Sequence, residues 1–145
     1  MAYLVGGRYV IGRLITLDGW RFYCFFAVSR YDSNRILRLL DRCGASRSIL
    51  RRVAIKMRLD KLDSGFTYTN PYRRRTVMVV GRSSSGAEFL NSFVHELRHL
   101  ADDYGKANRI LLDGEGIAYF SGDMAYNFAD IVCTLTCDHC RRNTA

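Results

Sequence analysis

Residues 85–105 constrain this chain more than any other stretch of it. Ser85 and Glu88 stand in the S-x-x-E spacing of a capping box, and Gly105 is placed to close the helix that they open. Leu90, Phe93, Val94, Leu97, Leu100 and Ala101 recur as a broad apolar stripe, so this helix is expected to pack in the core. Within it, residues 95–99 read His-Glu-Leu-Arg-His. Side chains at i and i+4 lie one turn apart on one face, so the imidazoles of His95 and His99 can reach a single Zn2+. Glu96 sits beside such an ion, positioned to take a proton from a water that the metal activates. A fold containing this segment must bury one side of the helix and leave the other open.

A catalytic zinc needs a third protein ligand. The metzincin continuation requires Gly at 102 and His at 105, where this chain has Asp102 and Gly105, so that class is excluded. A glutamate on the following helix is the other common solution, and Glu115 is available 16 residues beyond His99. Asp123 is the alternative ligand, as in zincins that use an aspartate. Asp102, Asp103 or Asp123 can also orient a ligand histidine from outside. Tyr119, one turn after Glu115, is the candidate donor to an oxyanion, with Tyr126 and His139 behind it.

These residues resemble the gluzincin-type zinc metallopeptidases, whose ligands are H-E-x-x-H plus a glutamate on a later helix. The stretch from Thr67 to Gly122 is similar to small H-E-x-x-H proteins of gut bacteria and phages. The matching segments are TVMVVGRSSS, NSFVHELRHL and DGEGIAYFSG. The resemblance covers somewhat over a third of the chain and implies a metal site more than a substrate. It also implies that a strand beside the zinc helix holds extended peptide by strand addition, and Thr76–Val80 is the corresponding element. One departure is Tyr119, where the larger thermolysin-like enzymes have Asp.

Elsewhere the pattern is local and legible. Tyr9–Leu17 and Trp20–Val28 are rich in aromatic and β-branched residues and flank Asp18-Gly19, which suits a type I′ hairpin. Asp32 or Ser33 caps a helix with Ile36, Leu39 and Leu40 on one face and Gly44 at its end. Ser48–Leu59 predicts a second helix on Ile49, Val53 and Met57. Gly65–Thr69 and Thr76–Val80 read as paired strands, and Asp113 as the cap of a last helix broken at Gly122 and resumed to about Thr136. The expected fold is α+β: a small antiparallel sheet against a zinc-binding helix, in one domain spanning 1–145. Residues 1–82 form its basic half and 83–145 its metal-site half.

Composition agrees with a globular chain, being 48% hydrophobic and 25% charged. No basic region leads into an apolar run at the N-terminus and no membrane helix is apparent, so a soluble cytoplasmic protein is expected. The net charge of +8 is uneven: residues 1–82 carry 17 Lys/Arg against 5 Asp/Glu, residues 83–145 carry 5 against 9. Five cysteines, an odd number, argue against a disulfide framework. Cys133, Cys137 and Cys140 form C-x3-C-x2-C, too near the chain's end for a radical-enzyme barrel. They either pack on one helical face or, with His139, bind a second zinc. The leading expectation is a zinc-dependent metallopeptidase acting on peptide or protein. The alternatives are a non-catalytic zinc-binding module whose basic surface contacts nucleic acid or an acidic protein, and a metal-free interaction protein.

Overall fold

A computed structural model of the chain describes residues 2–5, 8–62 and 64–139, with side chains from residue 10 onward. Five strands form one sheet: β1 (Ala2–Val5), β2 (Arg8–Leu17), β3 (Trp20–Val28), β4 (Gly65–Asn70) and β5 (Arg75–Gly81), in the order β1-β2-β3-β5-β4. The β2–β3 turn has both central residues at positive φ, Asp18 at 48° and Gly19 at 79°, as a two-residue type I′ hairpin requires.

The sheet is mixed and not purely antiparallel. β3 and β5 run parallel, while the other neighbours are antiparallel. The reason is the connection: α1 (Ser33–Arg42) and α2 (Arg47–Arg58) intervene between β3 and the β4–β5 hairpin. That connection carries the chain to β4 at the edge, antiparallel to β3, and the β4–β5 turn reverses β5 into the place between β4 and β3, parallel to β3.

Helices cover both faces. On one face α1 and α2 bury Ile36, Leu40, Val53 and Met57 against Val77 and Val79. On the other face lie α3 (Gly86–Ala107), α4 (Glu115–Asn127) and α5 (Ala129–Thr136), which enclose Trp20, Phe22, Phe26, Met78 and Val80. Phe22, Cys24 and Phe26 alternate onto the α3 face, and a bulge between Phe25 and Val28, with Ala27 at φ 57°, switches Val28 to the α1 face.

α3 runs two residues beyond Gly105, which lies inside the helix where Leu112 and Ile117 pack closely over it. Ser85 Oγ accepts from the Glu88 backbone N–H, but the Glu88 carboxylate accepts from Ser84 instead of closing a reciprocal box. The last helices also differ from expectation. Gly114, and not Asp113, is the residue that precedes α4, and the break falls at Phe128, whose ring is fully buried, and not at Gly122. α5 ends at Thr136 with Cys137 as its C-cap, one turn beyond Cys133 and bonded through its backbone N–H to the Cys133 carbonyl, and both thiols are exposed and not packed. No helix among the described residues is long and apolar enough to cross a membrane.

Candidate metal centre

α3 is held rigidly where the site lies. Phe89, Phe93, Leu97, Leu100 and Tyr104 anchor it to the sheet and to α4–α5. Tyr104 stacks on Phe120 at 4.2 Å between ring centroids, and Phe93 meets Phe128 edge-on at 5.9 Å. Leu90 and Val94, expected in the stripe, are instead exposed at 44% and 55%. They lie past the arc that the sheet and α4–α5 cover.

With that side buried, His95 and His99 face outward from the next arc of the helix. Their Nε2 atoms approach to 3.2 Å, with the rings nearly perpendicular at 78°. Two nitrogens bound to one tetrahedral Zn2+ at ~2.05 Å would stand about 3.3 Å apart, so the pair already has the spacing that such an ion imposes. Without an ion the same approach is a hydrogen bond between the two rings, and with one the two nitrogens fit a shared metal.

Glu96 is turned inward and is only 2% exposed. Its carboxylate accepts from the Ser64 hydroxyl at 3.1 Å and from the Thr67 hydroxyl at 2.9 Å, and Thr67 Oγ1 also lies 3.2 Å from the Glu96 carbonyl oxygen. Glu96 Oε1 stands 3.9 Å from His95 Nε2. A buried carboxylate without partners would be strongly unfavourable, and the two hydroxyls of β4 and its approach offset that. Alternation along β4 explains the contact: Phe66 and Tyr68 pack toward the α1–α2 core, which turns Thr67 and Thr69 toward α3.

A cleft of about 430 Å3 opens here, lined by Lys56, Ser64, Thr67, His95, Glu96, His99 and Asp103 among others. A second hollow, lined by Thr69, Pro71, Asp103, Lys106 and Ala107, adjoins it at Asp103. The strand flanking it is β4, which is the sheet's edge. β5, which contains Thr76–Val80, is paired on both sides and has no free backbone edge, so strand addition at Thr76–Val80 is ruled out and belongs at β4 if it occurs.

The residues expected from α4 do not line the cleft. Glu115 is exposed at the first position of α4, and Tyr119, one turn later, is 71% exposed. Among the described residues no three His, Cys, Asp or Glu side chains converge on one point. Asp102 pairs with Arg98 at 2.8 Å and so does not brace a histidine. Asp123, Tyr126 and His139 are exposed and outside the cleft. Cys133 and Cys137 are exposed, and Cys140 lies outside the described residues, so the possible second zinc falls partly beyond them. Reading the sequence missed Ser64, Thr67 and Lys56, and named Asp103 only as a residue that orients a histidine from outside. The β4 alternation marks Thr67 as facing away from the aromatic side, but not what it meets.

No family model, curated protein or solved structure matches this chain, so its function has to be read from the site's own chemistry.

Proposed function

We propose that the protein is a zinc-dependent peptidase of minimal size. The observation that carries this reading is the 3.2 Å approach of His95 and His99 Nε2, with the Glu96 carboxylate held beside them at an open cleft. His95 and His99 would hold the ion. By its resemblance to the gluzincins the third position falls to Glu115, with Tyr119 one turn later as the donor to a developing oxyanion, although both stand outside the cleft in this structure; Asp103, one turn beyond His99 and in the cleft, is the competing ligand. A bound Zn2+ supplies Lewis acidity, polarising a carbonyl and acidifying water. Glu96 accepts the proton from the attacking water and delivers it to the leaving amine. Ser64 and Thr67 fix the direction of that carboxylate, and the free edge of β4 offers main-chain hydrogen bonds to an extended peptide.

Metal analysis of the purified chain tests the first half. About one zinc per chain is expected, lost in His95→Ala and in His99→Ala, because the remaining ligands hold it weakly. Zinc retained in both variants overturns the site. Glu115→Ala should release most of the metal while Asp103→Ala keeps it; the reverse result transfers the third position to Asp103. For the second half, native protein and Glu96→Gln are compared on a mixed-peptide library. Glu96→Gln should keep its zinc and lose ~10²–10⁴-fold in cleavage, the usual loss for a general base. Equal cleavage by both sinks the mechanism. Full zinc with no cleavage by native protein favours the non-catalytic zinc module.

A further inference from the structure

One wall of the cleft has no role in the chemistry above. It comes from α2, whose sequence RSILRRVAIKMR holds five basic residues and no acid. Val53 and Met57 bury this helix in the core. At about 100° per residue, Arg52 and Lys56 share a flank beside that buried stripe, while Arg47, Arg51 and Arg58 point to the opposite side. Lys56 lines the cleft with Ser64, Gly65, His95, Glu96 and His99. Neither Arg52 nor Lys56 has an acidic side chain within ion-pair distance among the described residues. Like charges at i and i+4 weaken a helix by ~0.2–0.5 kcal/mol, so this pair works against the fold.

Among the described residues the exposed charge differs between the two ends of the cleft. At the Ser64 end Lys56 lines the cleft, with the Glu96 carboxylate buried beneath Ser64 and Thr67; Arg52 lies one turn before Lys56 on the same flank of α2, outside the lining itself. At the Thr69 end Lys106 is accompanied by Asp103, so that end is mixed. Because Glu96 is buried, a peptide paired to the edge of β4 meets Lys56 as the exposed charge at one end among the described residues, and a mixed pair at the other.

We infer that the cleft takes acidic peptides, whose carboxylate side chains Arg52 and Lys56 recognise when the peptide lies along β4. This rests on the peptidase reading and names its substrate class. A polyanion such as RNA differs in kind: it would draw equally on the outward Arg47, Arg51 and Arg58, which the cleft does not use.

The test uses full-length Glu96→Gln protein with Zn2+ and fluorescent eight-residue peptides. Two carry a pair of glutamates, at the N-terminal or the C-terminal end, and each has a twin with glutamines. One glutamate peptide should bind about tenfold tighter than its twin, as for a contact between charged groups. Arg52→Glu combined with Lys56→Glu should abolish that preference, while Arg51→Glu retains it; circular dichroism checks that each variant is folded. Equal binding of both twins, or no binding of either, overturns the inference. So does a preference lost equally in Arg51→Glu, or a 20-nucleotide RNA that binds tighter than every peptide. Cleavage by native protein that is indifferent to glutamate would end this inference and leave the peptidase standing. Glutamate-selective binding without cleavage would do the opposite.

Discussion

Glu96 and its two hydroxyl partners show how much hangs on single side chains here. Thr67 donates to a carboxylate that water barely reaches, so removing the hydroxyl leaves a buried charged group short of a partner. Thr67→Val should therefore lose ~1–3 kcal/mol in denaturant unfolding, and Thr67→Ser should recover most of it. Equal stability of the two variants would show that the hydroxyl does not hold Glu96. Gly65, beside Ser64, is the other sensitive position. It sits at φ 135°, and an added Cβ would lie 1.9 Å from the Val79 carbonyl oxygen. Gly65→Ala should cost at least the ~1–3 kcal/mol of backbone strain, and should also displace Ser64 and widen the cleft.

Among the elements, α3 carries two independent demands. Its buried arc fixes the helix, and its outward arc presents the histidines. Phe93→Ala should cost ~3–5 kcal/mol, whereas Leu90→Gln and Val94→Gln should each stay within about 0.5 kcal/mol. Urea midpoints decide this, and a large loss at Leu90 would mean that its face is covered. α5 is tied to the sheet by a different means. Arg13 of β2 donates to both Asp130 carboxylate oxygens at 2.7 Å, and also to the Asn127 carbonyl. The hydrogen bond from Arg13 holds the Asp130 carboxyl down at about 2. A carboxyl depressed in the folded state stabilises above its unfolded value near 3.9, and that contribution disappears as pH falls toward about 2. The pair is largely exposed, so Asp130→Asn should cost only ~0.2–1 kcal/mol at pH 7 and nothing measurable near pH 2. A deficit that persists at pH 2 would assign the effect to packing.

Across the whole molecule, two helical layers share one sheet. β5 contributes Met78 and Val80 to one core and Val77 and Val79 to the other, so neither layer can unpack without exposing the strand that supports both. Unfolding should be cooperative: fluorescence of Trp20, the only tryptophan, should share its midpoint with far-ultraviolet dichroism. An earlier dichroism transition would mean that α1 and α2 come away first. The thiols differ by layer position as well. Burial pushes the Cys24 and Cys43 thiols up, which keeps both unreactive, while Cys133 and Cys137 remain exposed.

What the sequence determined by itself was set by short-range geometry. Asp18-Gly19 dictates its hairpin because few other residues tolerate two positive φ values in succession. Ser85 starts α3 with its own hydroxyl, and the four-residue spacing of His95 and His99 brings their nitrogens together on one helical face. The tertiary structure decided everything that depends on which element lies beside which. The long helical connection delivered β4 to the open edge and the hairpin after it set β5 between β4 and β3, parallel to β3, which moved strand addition away from Thr76–Val80. Docking β4 against α3 brought Ser64 and Thr67 to Glu96 across 32 and 29 residues of sequence. Packing of α4–α5 on α3 buried Tyr104 and left Leu90 and Val94 in solvent, although hydropathy alone ranks them the other way. Periodicity is a property of a segment and survives in one dimension. An edge, a partner or a buried arc exists only once separate segments have closed on one another.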